Sequence, residues 1–435
     1  MKYGINMTWN DLQKDEGALA LVRQYLPAME MLANQAPGAA RIAIRTAQSY
    51  APQMFPAEQV AALDQALKAY GAAQPRNEQE TAKLERYRAM HRAHTVEKHP
   101  ERAVRYDAFH PGKPWLDTNG NPIQAHGGAV YYEDGVFYWY GENKEFTDRK
   151  SPIWTWGIRM YRSKDLYNWE DLGLIAEPDL ENPDGNLFPE KYVDRPHIIR
   201  CPATGKYVMW VKISSAESCF TILQADRLQG PYTVVTEDYY PLGNSVGDFD
   251  LVVNGDGEAY LYVDTTPKRV AGFELTPDYC AVAREVSTQY AGLTPPFCRE
   301  GVTLFENGGK KYLITSGTTG YTPNQSDAAV ADSWEGPFVP IGDPHVGGTR
   351  AWPPSTARSP RCSGCRAKTC TSPLPTAGCP TTCWTGSLPM RSAAWWRPIT
   401  SPNSIPQRSR KKKCLRSALI WSATTRAAPP MSGCR

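Results

Sequence analysis

Acidic residues are missing from the end of this chain. Of its 435 residues, the last 88 (348–435) hold 15 Lys/Arg and no Asp or Glu. Folded natural sequence mixes charges of both signs and does not normally produce such a stretch. The overall net charge of +3 therefore averages two unlike parts. The first 347 residues carry 33 Lys/Arg against all 45 Asp/Glu, a net of −12. That balance excludes a nucleic-acid footprint over the body of the chain, because phosphate binding needs clustered cations. The one basic run, Arg410-Lys-Lys-Lys413, lies in the tail. Cysteine is equally scarce before residue 348, where only Cys201, Cys219, Cys280 and Cys298 occur out of eleven. Four cysteines in 347 residues give no disulfide framework and fit a reducing compartment. Apolar runs long enough for a transmembrane helix are absent, so no membrane partner is expected. The opening Met1-Lys-Tyr-Gly-Ile-Asn6 lacks the basic-then-apolar order of a secretory signal, and a cytoplasmic location is the expectation.

What is present falls into three segments. Residues 1–104 read as a helical domain. Thr8 and Asp11 have capping-box spacing before Leu12. A second helix starts near Pro56, carries Val60, Leu63, Leu67 and Tyr70 at helical intervals, and is expected to stop at Gly71. A third, strongly charged helix spans Glu80 to His94. No chemistry is assigned to this segment, which reads as a packing or association module.

Residues 105–347 change to short β-runs. Two aromatic, alternating runs flank Asp134-Gly135, a dipeptide suited to the positive φ angles of a tight hairpin turn. Similar hairpin phrases follow at Thr204-Gly205, Asp256-Gly257 and Asn307-Gly-Gly309. A second phrase recurs with drift: Ser163 to Gly173, Ala225-Asp-Arg-Leu-Gln-Gly-Pro-Tyr232, and Ala331-Asp-Ser-Trp-Glu-Gly-Pro-Phe338. A two-sheet sandwich would not predict this closing phrase, whereas repeated four-stranded blades would. The expected fold is mainly β: a five-bladed β-propeller, incomplete at the C-terminus, preceded by the small helical domain.

Residues 348–435 form an aberrant basic tail rich in Cys, Pro and Ser, expected to be disordered or out of frame. Reading the third base of each codon with the first two of the next, from Arg358 on, restores strand alternation, a Gly-Lys-Asp turn and acidic residues. Cys362, Cys365, Cys379 and Cys383 have zinc-site spacing, but out-of-frame cysteine codons explain them better. No metal or other cofactor is expected.

In a propeller, inner strands aim their ends at a central cavity, so acids far apart in sequence converge there. Glycosidic cleavage needs that convergence: one carboxylic acid protonates the leaving oxygen while a second group activates water or attacks carbon. Asp194, Asp248 and Glu300 each precede an apolar run and so stand at strand entrances. Asp256 belongs to a turn and has no catalytic role. His126, before two glycines, is either a structural hydrogen-bonding residue or a substrate contact.

Several of these phrases resemble glycoside hydrolase family 43, and within it the exo-β-1,3-galactanase (galactan 1,3-β-galactosidase) branch. They are Trp115 to Gly120, Ile123 to Gly128, Tyr138-Trp-Tyr-Gly-Glu-Asn-Lys144, Asp194-Arg-Pro196, Gly205 to Trp210, Glu300 before Leu304-Phe305, and Tyr321-Thr-Pro-Asn324. The resemblance covers roughly residues 113–347, and the frame-shifted tail adds an Ala-Asp-Arg-Trp phrase. It implies an exo-acting glycosidase on β-1,3-galactan-type or related oligosaccharides. Imported oligosaccharides are preferred to polymer as substrates, since no secretory signal is read. By the same resemblance Glu300 is the general acid, Asp248 tunes that acid and holds the sugar, and Asp194 stands where the branch usually has Glu. Glu142 matches a rim carboxylate that contacts sugar hydroxyls, and Trp139, Thr318 and Tyr321 are further wall residues. The broader family takes its base from an aspartate early in the first blade, where this chain has His126-Gly-Gly128. The resembling branch implies a glutamine instead, at a position near residue 357, and the shifted frame does not supply one. The base is therefore unassigned, and the 435-residue chain is expected to have little or no activity. The alternative is a non-catalytic carbohydrate-binding propeller.

Overall fold

The computed structural model describes residues 3–344, apart from 37, 75–77, 111, 216, 321 and 323. The tail and its cysteines, the position near 357 and Tyr321 lie outside the described residues. The described chain divides into two compact units. One comprises residues 1–95 with 179–188 and 213–219, and the other takes the remainder.

The first unit is helical: α1 (Trp9–Leu12), α2 (Glu16–Tyr25), α3 (Pro27–Gln35), α4 (Ile44–Tyr50), α5 (Ala57–Ala73) and α6 (Glu78–Ala93). Thr8 caps α1 as its spacing predicts, accepting from the Asp11 amide, but that helix ends after one turn and Asp15 caps α2 anew. Helix α5 does not stop at Gly71. A side chain there would strike the Tyr3 ring at 2.7 Å, so glycine serves the packing of Tyr3 rather than helix termination. The boundary falls at 95/96, not 104/105. The Glu97 carbonyl accepts from Asn121 and the His99 amide donates to the Asn119 carbonyl, which ties this stretch to the β unit.

The second unit holds four antiparallel four-stranded sheets, each strand pairing with the next in sequence. Blade 1 is β1 (His126–Glu133), β2 (Val136–Glu142), β3 (Ile158–Ser163) and β4 (Glu170–Ala176). Blade 2 is β5 (Tyr192–Arg200), β6 (Tyr207–Ser214), β7 (Cys219–Ala225) and β8 (Thr233–Tyr239). Blade 3 is β9 (Ser245–Val253), β10 (Ala259–Thr266), β11 (Arg269–Leu275) and β12 (Val282–Gln289). Blade 4 is β13 (Arg299–Asn307), β14 (Lys310–Gly317), β15 (Ser326–Ala331) and β16 (Val339–Gly342). The first strands lie side by side in the order β1, β5, β9, β13. This is the propeller arrangement the sequence predicts, with four of the expected five blades among the described residues.

All four hairpin phrases join first to second strands. Asp134 (φ 50°) and Gly135 (φ 82°) both take the left-handed conformation that this turn requires. The closing phrase joins third to fourth strands in blades 1, 2 and 4, and its Trp169, Tyr232, Trp334 and Phe338 are buried. The core lies between blades, because alternate side chains of one strand face opposite neighbours. On β10, Leu261 and Val263 join Trp210 and Phe220 of blade 2, whereas Tyr260 and Tyr262 join Leu304 and Trp334 of blade 4.

Candidate active site

The leading end of each first strand carries a polar side chain: His126 on β1, Asp194 on β5, Asp248 on β9 and Glu300 on β13. In three blades the following residue is left-handed, namely Gly127 (φ 60°), Arg195 (φ 52°) and Gly301 (φ 66°). The β1–β2 and β13–β14 registers shift at these points, between His126 and Ala129 and between Glu300 and Thr303. A bulge of this kind breaks the ladder and re-aims a side chain. Glycine takes the conformation without strain, whereas Arg195 costs about 1–2 kcal/mol. In blade 3 the extra residue is again on the first strand: Gly247 and Asp248 of β9 stand opposite the single Asp264 of β10, whose carboxylate turns toward β9.

Hydrogen bonds across these ends tie the four blades together. Glu142, at the end of β2, accepts from the Arg195 amide at 3.0 Å. The Arg195 guanidinium meets Asp248 at 2.8 Å, and Asp248 accepts from the Gly301 amide at 3.2 Å. A second tier lies two residues deeper. Tyr140 accepts from the Ile198 amide, His197 meets Asp250 at 2.8 Å, and Asp250 accepts from the Leu304 amide.

Glu142 is 1% exposed, with Lys144 at 2.7 Å and His126 Nδ1 at 3.2 Å from its other oxygen. Burial opposes its ionisation, but the Lys144 charge and the bonds from His126 and Lys144 prevail and hold its pKa down at about 2. A side chain at Gly127 would come within 2.4 Å of this carboxylate. Asp248 is also buried, and Lys212 stands 3.7 Å from it. Its own amide donates to Asp264, whose second oxygen meets Lys268 at 2.8 Å. Burial raises the pKa of Asp264, the Asp248 charge adds to this, and Lys268 and Lys212 offset only part. For Lys268, partial burial is outweighed by Asp264, Glu300 and Asp248, so its pKa is raised.

Glu300 is half-buried and opposite Ser316. Asp194 accepts from the Trp154 indole at 3.1 Å; Trp154 packs against exposed Tyr192, and Lys144 sits 4.1 Å from its ring centre. The Thr318 hydroxyl is buried without a hydrogen-bond partner among the described residues. Two expectations need correction. Trp139 is no wall residue: it is 2% exposed and packed between Trp115 and Trp169, leaving no ring face for a sugar. Glu142 is not an open rim carboxylate but a buried one that fixes His126 and Arg195. Sequence reading missed Arg195, Lys144, Asp264 and Lys268. Arg195 had a signal, since it lies within the Asp194-Arg-Pro196 phrase. Among the described residues no cluster of three or more His, Cys, Asp or Glu stands ready to hold a metal ion.

The sequence model described as Glycosyl hydrolases family 43 matches residues 120–350, just over half the chain. No curated protein matches. Solved structures that resemble the chain include the GH43 β-1,3-galactosidase BT0265, 28% identical over 55% of this chain and 50% of that one, with a TM-score of 0.49. The exo-β-1,3-galactanase Pc1,3Gal43A of Phanerochaete chrysosporium with galactose is 27% identical over 54% of each chain, with a TM-score of 0.49. The exo-β-1,3-galactanase 1,3Gal43A of Clostridium thermocellum is 28% identical over 53% of this chain and 51% of that one, with a TM-score of 0.47. The chain thus spans about half the length of these proteins.

Proposed function

The chain belongs to glycosyl hydrolase family 43, and from that membership we propose an exo-acting glycoside hydrolase that removes galactose from β-1,3-galactan-type or related oligosaccharides. The observation that carries the reading is the inter-blade chain Glu142–Arg195–Asp248–Gly301, which gathers carboxylates from distant segments around the leading ends of the first strands. The sequence phrases shared with the exo-β-1,3-galactanase branch support the choice of sugar.

Glu300 serves as general acid, protonating the departing glycosidic oxygen. Asp248, bonded to the amide next to Glu300, places a negative charge beside it, and a neighbouring carboxylate favours the protonated form that an acid must have. Asp194 faces the sugar, with Trp154 and Tyr192 as the adjoining aromatic wall. The unspent Thr318 hydroxyl receives a sugar hydroxyl, and Glu142 holds His126 toward the same space. The family implies inversion, which requires a base on the opposite side of the sugar from the acid. In the resembling branch that group falls near residue 357, outside the described residues.

Glu300→Gln tests the reading. Hydrolysis of an aryl β-galactoside should fall by about 10²–10⁴-fold, while galactose binding, read by calorimetry, should survive. Galactose binding without hydrolysis in the protein read from the corrected frame would instead identify a carbohydrate-binding propeller, and absence of galactose binding would overturn the sugar site.

A further inference from the structure

We propose that Asp264 and Lys268 are a positioning pair for the acid end of the site, Asp264 clamping the backbone of Asp248 and Lys268 setting the local charge at Glu300. The proposal rests on the sugar-site reading above and adds Asp264 of β10 and Lys268 of the turn that joins β10 to β11. Asp264, on β10, is 2% exposed and lies opposite the bulge that Gly247 and Asp248 make in β9. One of its oxygens accepts from the Asp248 amide and the other from Lys268 at 2.8 Å. It also occupies the room beside Gly247: a side chain at that glycine would come within 2.1 Å of the carboxylate. The backbone of the Gly247–Asp248 step is thus built around Asp264. No sheet geometry demands an acid here, since an interior position of a central strand is ordinarily apolar, and a buried carboxylate is costly unless it is paired.

Lys268 supplies that pairing and does more. Its side chain is 41% exposed, so it is not sealed in with Asp264. The acids facing it are Asp264, Glu300 and Asp248. The charges facing Asp264 are Asp248, Lys268 and Lys212. Two opposed effects therefore act on Glu300. The Asp248 carboxylate, bonded to the amide after Glu300, favours a protonated acid, and the Lys268 cation, partly neutralised by Asp264, opposes it. A general acid must hold its proton at working pH yet release it in the transition state, so this balance places the alkaline limit of the reaction.

Lys268→Met removes one charge and keeps a similar length; Asp264→Asn removes the opposite charge and keeps an acceptor for the Asp248 amide. The alkaline limb of the kcat/KM profile should move to higher pH in Lys268→Met and to lower pH in Asp264→Asn. A reading that needs no turnover uses two ligands, galactose and a cationic galactose-configured iminosugar. Lys268→Met should tighten the iminosugar by about three- to tenfold relative to galactose, because a competing cation is gone. Unaltered iminosugar-to-galactose preference in Lys268→Met, with both ligands still bound, overturns the proposal. Failure of the unaltered chain to bind either ligand overturns the sugar-site reading instead. Thermal melting of each variant separates a lost fold, which weakens both ligands equally, from a lost charge, which changes their ratio.

Discussion

At the residue scale, the site is assembled from groups that satisfy one another before any substrate arrives. Glu142 shows the energetics. Its carboxylate is fully desolvated, yet the Lys144 and His126 contacts and the Arg195 amide keep it ionised, so its folded pKa of about 2 lies below the ordinary 4.5. A group whose folded pKa is depressed stabilises the fold above its unfolded pKa, and that contribution is lost as pH falls through the window between the two values. Glu142→Gln should therefore cost about 3 kcal/mol at pH 7, measured by urea unfolding. The difference from the unaltered chain should hold above pH 4.5 and shrink steadily toward pH 2. A deficit that stays constant across that window would mean that Glu142 acts through shape alone and not through its charge.

At the element scale, the blade is the unit that sequence makes visible. Hairpin turns at Asp134-Gly135 and its three counterparts are local, four-residue events, so composition alone locates them. The closing phrase is legible for the same reason: Trp334 and Phe338 recur at a fixed distance from a third strand and plug the space between blades 3 and 4. Trp334→Ala should destabilise the protein by about 3–5 kcal/mol. Asp332→Ala, two residues away and 85% exposed beside Lys310, should change stability by less than about 0.5 kcal/mol. Differential scanning calorimetry on both variants checks the contrast, and equal effects would deny the phrase its role as a plug. What stayed hidden depends on pairing between blades. The left-handed turn at Arg195 is forced by partners on two other blades, Glu142 of blade 1 and Asp248 of blade 3, and no propensity of arginine announces it. Asp264 sits in a run of Val, Asp and Thr that reads as ordinary strand; only the bulge in β9 opposite it gives its carboxylate a task. Trp139 misled for the complementary reason, since its place in an aromatic strand next to Glu142 says nothing about which face of the blade it occupies.

At the scale of the whole molecule, the chain joins two compact units to a segment of different character. The helical unit has its own core of Trp9, Leu12, Val22, Met29, Ile44 and Leu63, among others. It also takes in residues 179–188, through Tyr87 against Phe188 and a bidentate bond between Arg88 and Glu181. Beyond the fourth blade the physical logic of the sequence changes. Acidic residues cease after Asp343, and the family match ends at residue 350. Both changes fall at one point, as a change of reading frame would make them, because a shifted frame scrambles charge, cysteine content and family resemblance together. Sequencing the coding DNA across codons 340–360 should reveal an inserted or deleted base relative to the genomic locus, with an open frame beyond it that restores Asp and Glu. A protein expressed from the corrected frame should hydrolyse aryl β-galactosides faster than the 435-residue chain, because the resemblance puts the fifth blade and the general base in that stretch. A genomic sequence that reads through residue 435 without a change of frame would refute this explanation, and the acid-free tail would then have to be a genuine part of the protein.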